Sequence, residues 1–505
     1  MNGHRVDIAD FCPCTRSRDP QRPETVADSS RWAAPVLPAM RREIGAGHSL
    51  CALAMLQCIG YLARFVATED RPMRSGQGRV RTGEWLAVAL SFAYFFCVLA
   101  AYYVIRPLRE QLAAAVGSTQ LPWFYGATFL GTLLLSPLFG ALVTRWPRRV
   151  VMPVVYVFFI ACLIGFVPLF AWPDLLAPKT LGVMFFVWVS VFNLFVVSVF
   201  WSFMSDIWDS EQSRRLFPVI AVAGTIGAVT GPMLTRTLVG VIGVAPLLVV
   251  SAALLCLALG CVVALGRWAR RHGARRHEPG HEAAVGGGMF DGLKQVFADP
   301  FIRNMSILLL LADGIGTVNY ALVTDYSGAT FTDAVARTRF AANIDLAGNV
   351  LTAITQLTLT RWLLPRKGPG IVIMIWALVS VCALSLVLFA PDPHAPLLLG
   401  MPAVAIALVV SRGLAYGMAE PARHSLYTRV PRNVRYKGQN AVDTAVWRFG
   451  DMTIALGMNG LRLLGVGAAG FAGVSATAAV IAASIGWRLS RRPEGVSAAE
   501  APPSR

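Results

Sequence analysis

The chain has 505 residues, of which 55% are hydrophobic and only 14% charged, where an ordinary soluble domain is about one quarter charged. That composition excludes a water-soluble globular protein, and the lack of strict apolar–polar alternation over about ten residues argues against a membrane barrel. The formal net charge of +17 would point to nucleic acid in a soluble chain, but here the basic residues stand between apolar runs and at the ends, where they hold topology.

Residues 1–84 read as an Arg- and Pro-containing N-terminal extension, expected to be a disordered cytoplasmic tail. Its apolar patch Leu50–Val66 is broken by Arg64 and comes too late for a signal peptide. A start at Met73, just ahead of the first convincing span, is the alternative reading.

Apolar runs of roughly 18 residues or more, each long enough to cross a bilayer core as a helix, then follow one another. They are Trp85–Ile105, Leu121–Val143, Val150–Trp172, Leu181–Phe203, Phe217–Val239 and Val244–Leu265. After a hydrophilic connector, residues 266–300, come Phe301–Thr324, Phe340–Leu363, Gly370–Ala390, Leu397–Gly417, Ala441–Leu463 and Val466–Trp487. The expectation is an all-α integral membrane protein of about twelve transmembrane helices in two six-helix halves, residues 85–265 and 301–487, with a cytoplasmic tail at 488–505.

The halves echo one another. Thr144-Arg145-Trp146 returns as Thr360-Arg361-Trp362, 216 residues later, and Met204-Ser205-Asp206 returns as Met418-Ala419-Glu420, 214 residues later. Two short echoes at nearly one offset point to a duplicated helical half. Arg145, Arg148 and Arg149, Arg214 and Arg215, the connector arginines, Arg366 and Lys367, Arg429–Lys437 and Arg488–Arg492 all fall on one side if both termini are cytoplasmic. The opposite loops, around Asp174 and Asp392, carry little positive charge.

Several features read as structural. Cys97, Cys162, Cys256, Cys261 and Cys382 lie inside apolar runs as small hydrophobes, and Cys12-Pro13-Cys14 lacks the spacing of a zinc site. Gly286-Gly287-Gly288 has no following Gly-Lys-Ser/Thr and is no phosphate loop, while His272, His277 and His281 belong to a solvated tether. Gly224, Gly227 and Gly231 permit close helix approach. The aromatic run Phe185–Phe203, with Trp188 and Trp201, reads as a lipid-facing and interfacial surface. No cofactor is expected.

Ionisable groups at membrane depth cost roughly 2.5–3.5 kcal/mol each on insertion scales, so each one asks for a role. After the first span comes Tyr102-Tyr103-Val104-Ile105-Arg106-Pro107-Leu108-Arg109-Glu110. If the helix continues past Pro107, Arg106 and Glu110 lie four apart on one face with Arg109 beside them, and a guanidinium fork suits a phosphate or carboxylate. The other reading is a helix end with Arg109 and Glu110 in water. In the second half, Asp313 stands among leucines beside Gly314 and Gly316, and Asn343, Asp345 and Asn349 stripe the next span. Asp313 reads as a proton or cation site, or as one side of an interhelical pair with an arginine. Asp443, Arg448 and Asp451 follow in the eleventh span, where a local Arg448–Asp451 pair is expected.

The segment Gly140-Ala141-Leu142-Val143-Thr144-Arg145-Trp146-Pro147-Arg148-Arg149 resembles the loop between spans two and three of the major facilitator superfamily, with Thr144 at the usual acidic position and Pro147 at the usual glycine. The strings Tyr103–Glu110, Phe200–Asp206 and Tyr436–Asp451 are more specific. They resemble the bacterial branch of the ATP:ADP antiporter family over residues 85–490. That resemblance implies exchange of nucleotides by alternating access, with basic side chains meeting the phosphates. Arg109 falls where the family's translocases tend to have lysine, and Lys437 falls on a basic position ahead of span eleven.

The leading expectation is a secondary transporter of the bacterial inner membrane with a cationic cavity, exchanging ATP and ADP or another phosphorylated anion. Arg106, Arg109, Glu110, Lys437 and Arg448 would meet substrate; Asp206, Asp313, Asp345, Glu420, Asp443, Asp451, Arg145 and Arg361 would couple or gate. A proton-coupled permease or exporter using Asp313 or Asp345 is the second reading, and a non-transporting membrane receptor the third. An enzyme is not expected, since the chain has no His-Glu-x-x-His, nucleophile elbow or nucleotide-binding loop. The expected partners are a small anion and the lipid bilayer, with no nucleic acid.

Overall fold

A computed structural model describes residues 84–145, 148–271, 296–398, 400–427, 442 and 446–491. The expectations for the extension, for most of the connector, and for Lys437 and Asp443 lie outside the described residues, as do those for the side chains of Arg145, Arg148 and Arg149.

The first half consists of α1 (Trp85–Val116), α2 (Leu121–Arg145), α3 (Arg148–Ala171), α4 (Pro178–Ile207), α5 (Ser210–Ile242) and α6 (Ala245–Arg271). The second half begins with α7 (Pro300–Thr330) and α8 (Ala334–Thr355), which runs through a π-helical stretch, Gln356–Thr360, into α9 (Arg361–Phe389). A two-strand hairpin, β1 (Pro396–Leu398) and β2 (Met401–Pro402), leads to α10 (Ala403–Leu414). A second π-helical stretch, Ala415–Ala419, joins α10 to α11 (Glu420–Leu426), and α12 (Trp447–Leu463) and α13 (Ala468–Ser490) complete the half. Helices dominate because a helix satisfies its own backbone hydrogen bonds, which a lipid interior cannot do.

Nine helices among the described residues are long and apolar enough to span a membrane. One of them, Ala334–Phe389, is bent at Gly368 (φ 78°), between Pro365 and Pro369, and so stands for two predicted spans. With α2 and α12 in the two remaining places, the twelve predicted spans are all accounted for. The chain makes its turns with local devices. Asp209 caps α5 reciprocally with Gln212, Asp299 caps α7 ahead of Pro300, and Asp333 caps α8. Gly117 (φ 91°) and Gly243 (φ 80°) end α1 and α5 in conformations that favour glycine.

Because the helices alternate in direction, the loops sort onto two faces. The Gly117 face also carries Gly243, Phe331–Asp333, Ala390–Pro402 and Leu464–Gly467. The opposite, Asp209 face carries the ends of α2 and of the first π-helical stretch, where Arg145 and Arg361 stand, and the basic ends of α6 and α13. Arg145, Arg361 and the basic ends of α6 and α13 thus share a face, while Lys179, Arg337, Arg339 and Arg462 stand toward the other.

Each half has its own buried cluster, and the second half's extends to Ala113, Leu121, Phe124 and Phe186 of the first. Small residues let α5 press against α1, with Gly227 meeting the Phe96 carbonyl and Gly231 meeting Tyr103 and the Ala100 carbonyl. Thr235 and Ser251 donate to the Val104 and Ala101 carbonyls, both at 2.9 Å, so α1 is clasped by α5 and α6. The aromatic run of α4 does not face lipid as its composition suggested. Phe185, Phe192 and Phe200 are fully buried, and Trp188 stacks between Phe185 and Phe192 inside the first half. Rings from α1 and α3 interlock with them edge-on, Tyr94 against Phe200 and Phe166 against Phe185, which composition alone does not reveal.

Between the halves, polar bonds gather at the Gly117 face. The Ser118 amide (3.0 Å) and hydroxyl (2.7 Å) and Nη2 of Arg462 (2.7 Å) all donate to Asp325, while Asn459 donates to the Thr119 carbonyl at 2.9 Å. Deeper in the interface, Asn349 donates to the Ala228 carbonyl at 2.7 Å.

Candidate functional site

α1 continues through Pro107 for nine further residues, which turns the end of the first predicted span into a buried corner. A proline costs an α-helix its own amide donor and crowds the preceding turn; here the flanking α5 and α6 hold the helix regardless. Arg106, Arg109 and Glu110 are therefore buried among the helices and not solvated at a helix end. Arg106 Nε lies 3.6 Å and Arg109 Nη2 2.5 Å from Glu110 Oε1. Arg109 lies over the Phe186 ring, 4.6 Å from its centroid, and Arg106 over Tyr103 at 5.6 Å.

These arginines line a cavity of about 270 Å³ between the halves. From the first half come Tyr102, Tyr125, Phe186 and Asn193 besides the two arginines. The second half contributes Asp313, Tyr320, Trp376, Arg412, Tyr416, Glu420, Arg423, Trp447, Arg448 and Asp451. Of the residues expected from sequence, Arg106, Arg109, Asp313, Glu420, Arg448 and Asp451 are brought together here. Glu110 and Asp345 line an adjoining recess of about 30 Å³ that shares Arg412 with the main cavity. Asp206 and Arg361 are exposed at the Asp209 face, away from this lining, because their helices reach that surface before they end.

The expected cationic cavity is a mixed one. Five arginines line it, Arg106, Arg109, Arg412, Arg423 and Arg448, against the carboxylates of Asp313, Glu420 and Asp451. Arg423 forks onto Glu420, which also accepts from His424 at 3.1 Å. Thr317 donates to Asp451 at 2.9 Å and Arg448 stands 3.8 Å from it, so the predicted local pair forms, loosely. Asp345, 3% exposed, lies 3.5 Å from both Arg106 and Arg412. Among the described residues Asp313 pairs with no arginine, and the interhelical arginine pair read for it falls to Asp345 instead.

Arg412, Arg423 and Tyr320 were not singled out in the sequence, although an arginine nine residues into the apolar run of α10 carried the same signal as Asp313. Among the described residues no group of three or more His, Cys, Asp or Glu side chains converges to hold a metal ion. The chemistry on offer is binding: guanidinium forks for oxyanions, aromatic faces for a planar group, and carboxylates for a donor or a proton.

The fold has close counterparts among solved structures, each at a sequence identity that speaks for the fold alone. The nucleoside transporter NupG superposes with a TM-score of 0.54 at 15% identity, over 81% of this chain and 98% of that one. A bacterial homologue of the human lysosomal transporter Spinster, inward-facing and unoccupied, gives 0.55 at 13%, over 82% and 98%. The xylose transporter XylE from E. coli, inward open, gives 0.54 at 13%, over 81% and 96%. No curated protein sequence matches the chain. The family model of the Major Facilitator Superfamily matches residues 85–452. A match over most of the chain, on twelve helices in two halves around a charged cavity, makes this protein a membrane transporter of the Major Facilitator Superfamily.

Proposed function

We propose that this transporter exchanges phosphorylated organic anions across the membrane, with nucleotides as the first candidates, by rocking its halves around the central cavity. The observation that carries the reading is the convergence of Arg106 and Arg109 from one half with Arg412, Arg423 and Arg448 from the other on a wall that also holds Tyr102, Tyr125, Phe186, Tyr416 and Trp447. A phosphate would engage the guanidinium forks while a planar base or sugar rests on the rings. The volume, about 270 Å³, falls just below the roughly 300–1,000 Å³ of small-ligand sites, so mononucleotides and smaller phosphate esters fit this state better than ATP. In a bacterial inner membrane, with the Asp209 face cytoplasmic, the bonded Gly117 face would be the closed outer gate.

The test is counterflow in proteoliposomes with labelled AMP, ADP and ATP and a panel of phosphate esters and carboxylates. Uptake that depends on internal anion and is lost in Arg106→Gln supports the reading. Failure of every phosphorylated anion to move or compete rejects it and leaves the architecture untouched. A second reading, proton-coupled transport, is favoured by Asp313 and Asp451 standing together on the cavity wall with Thr317. It requires flux driven by a pH gradient and abolished in Asp313→Asn.

A further inference from the structure

Five side chains at the boundary between the halves, Arg106 and Asp345 buried and the others partly buried, alternate in sign: Arg109, Glu110, Arg106, Asp345, Arg412. Glu110 shares α1 with both of its arginines, so those pairs move as one body with the first half. Asp345 differs, since it stands on α8 in the second half while one of its arginines, Arg106, belongs to the first. Its Oδ1 lies 3.5 Å from Nη1 of Arg106 and 3.5 Å from Nη1 of Arg412, beyond the roughly 2.7–2.9 Å of a charge-assisted hydrogen bond. Oδ2 of Asp345 and Nε of Arg106 are buried without a hydrogen-bond partner. One carboxylate is thus divided between two guanidinium groups, with hydrogen-bonding capacity unspent on both sides.

We propose that Asp345 is an internal counter-anion that locks the empty carrier and thereby makes transport an obligatory exchange. The inference rests on the anion reading above. Rocking the halves apart with the cavity empty would separate Arg106 from Asp345 and leave Arg106 and Arg109 to share the single carboxylate of Glu110, which is costly in a dry interior. A phosphate or carboxylate bound in the cavity has several acceptor oxygens in the geometry a guanidinium fork prefers, and takes Arg106 and Arg412 over. Asp345, now facing an anion, is repelled, and the halves can part. After release the lock re-forms, so the carrier returns only with another anion aboard.

The experiment compares the native full-length protein with Asp345→Asn in vesicles loaded with unlabelled ADP or left empty, using labelled ADP as probe. The native protein should take up at least about tenfold more label into loaded than empty vesicles, and Asp345→Asn should bring that ratio to within about twofold of unity. A native ratio in Asp345→Asn, or native protein that fills empty vesicles as readily as loaded ones, overturns the proposal. Spin labels at Thr119 and Leu463, on opposite halves at the Gly117 face, give a readout that needs no substrate. Without ligand, Asp345→Asn should gain a longer-distance population that the native protein lacks, and an unchanged distribution overturns the lock. If native protein moves ADP in neither vesicle, the nucleotide reading fails while the spin-label distances still decide the role of Asp345. Should Asp345→Asn fail to insert, Asp345→Ser is read in the same way.

Discussion

Ser118 gives both its backbone amide and its hydroxyl to a single carboxylate, that of Asp325, 207 residues further along the chain. The same carboxylate holds Arg462, so three donors converge on one side chain where the halves meet. Charge-assisted hydrogen bonds contribute about 1.5–3 kcal/mol each when buried, and at this partly exposed site the lower end applies to the cluster. Asp325→Ala is therefore expected to shift the equilibrium toward opening of the Gly117 face by about tenfold. Accessibility of a cysteine placed at Tyr320, inside the cavity, to an impermeant reagent added from that face checks it; unchanged labelling would mean that the Asn459–Thr119 bond and the apolar contacts of Ala113 and Phe124 hold the face without Asp325.

The contact of α5 with α1 gives a stability prediction. A methyl group at Gly231 would run into the Ala100 carbonyl and Tyr103, neither of which can withdraw without moving α1. Gly231→Ala should destabilise the folded protein by about 1–3 kcal/mol. Gly457→Ala, at a helical position with open space around it, should be neutral or stabilising by up to about 1 kcal/mol. Thermal unfolding in detergent ranks the two.

Arg109 is placed by one hydrogen bond from its Nη2 to Glu110 and by the face of Phe186. Lysine keeps the charge and loses the planar cation that stacks on the ring. Arg109→Lys should raise the KM for the transported anion about tenfold with a smaller change in kcat, the expected loss of a cation–π contact together with the guanidinium's directed donors. Initial rates of counterflow across a concentration series measure it, and an unchanged KM would remove Arg109 from the binding wall.

Asp313 decides between anion exchange and proton coupling. Under anion exchange, Asp313→Asn should lower the exchange rate by less than about threefold, because the neutral amide keeps the shape and the substrate's charge is met elsewhere. Collapse of pH-driven flux in the same variant, with exchange between equal pH values retained, would instead identify the Asp313 and Asp451 carboxyls as proton carriers.

The periodic apolar runs made the twelve helices legible, and the burial of Arg106, Arg109 and Glu110 followed once α1 was carried through Pro107. The partner of Asp345 was not legible, because nothing in sequence ties α8 to Arg106, which stands 239 residues earlier on α1. Arg412 is legible in principle, as a charge well inside an apolar run. The cluster at Asp325 depends on three segments meeting only in the folded chain, and Asp325 near a helix end looks like any solvated acid. The aromatic run of α4 was misassigned for a related reason: burial within a half and exposure to lipid both select apolar residues, so composition does not separate them.

Two π-helical stretches, Gln356–Thr360 and Ala415–Ala419, lie side by side in the second half. Gln356 and Thr360 donate to the freed carbonyls of Tyr416 and Gly417 at 3.0 and 2.7 Å, which stitches the two wide turns together. A wide turn carries one residue more per hydrogen-bonded ring than an α turn. Passing that surplus along the rod formed by α10 and α11 would swivel the residues it passes by about 100°, one residue's step, and leave those beyond it in place. Tyr416, at the surplus, and Glu420, just past it, both face the cavity. The second half therefore contains a built-in bearing beside the ligand space, able to re-aim individual side chains while the bundle around it stays rigid.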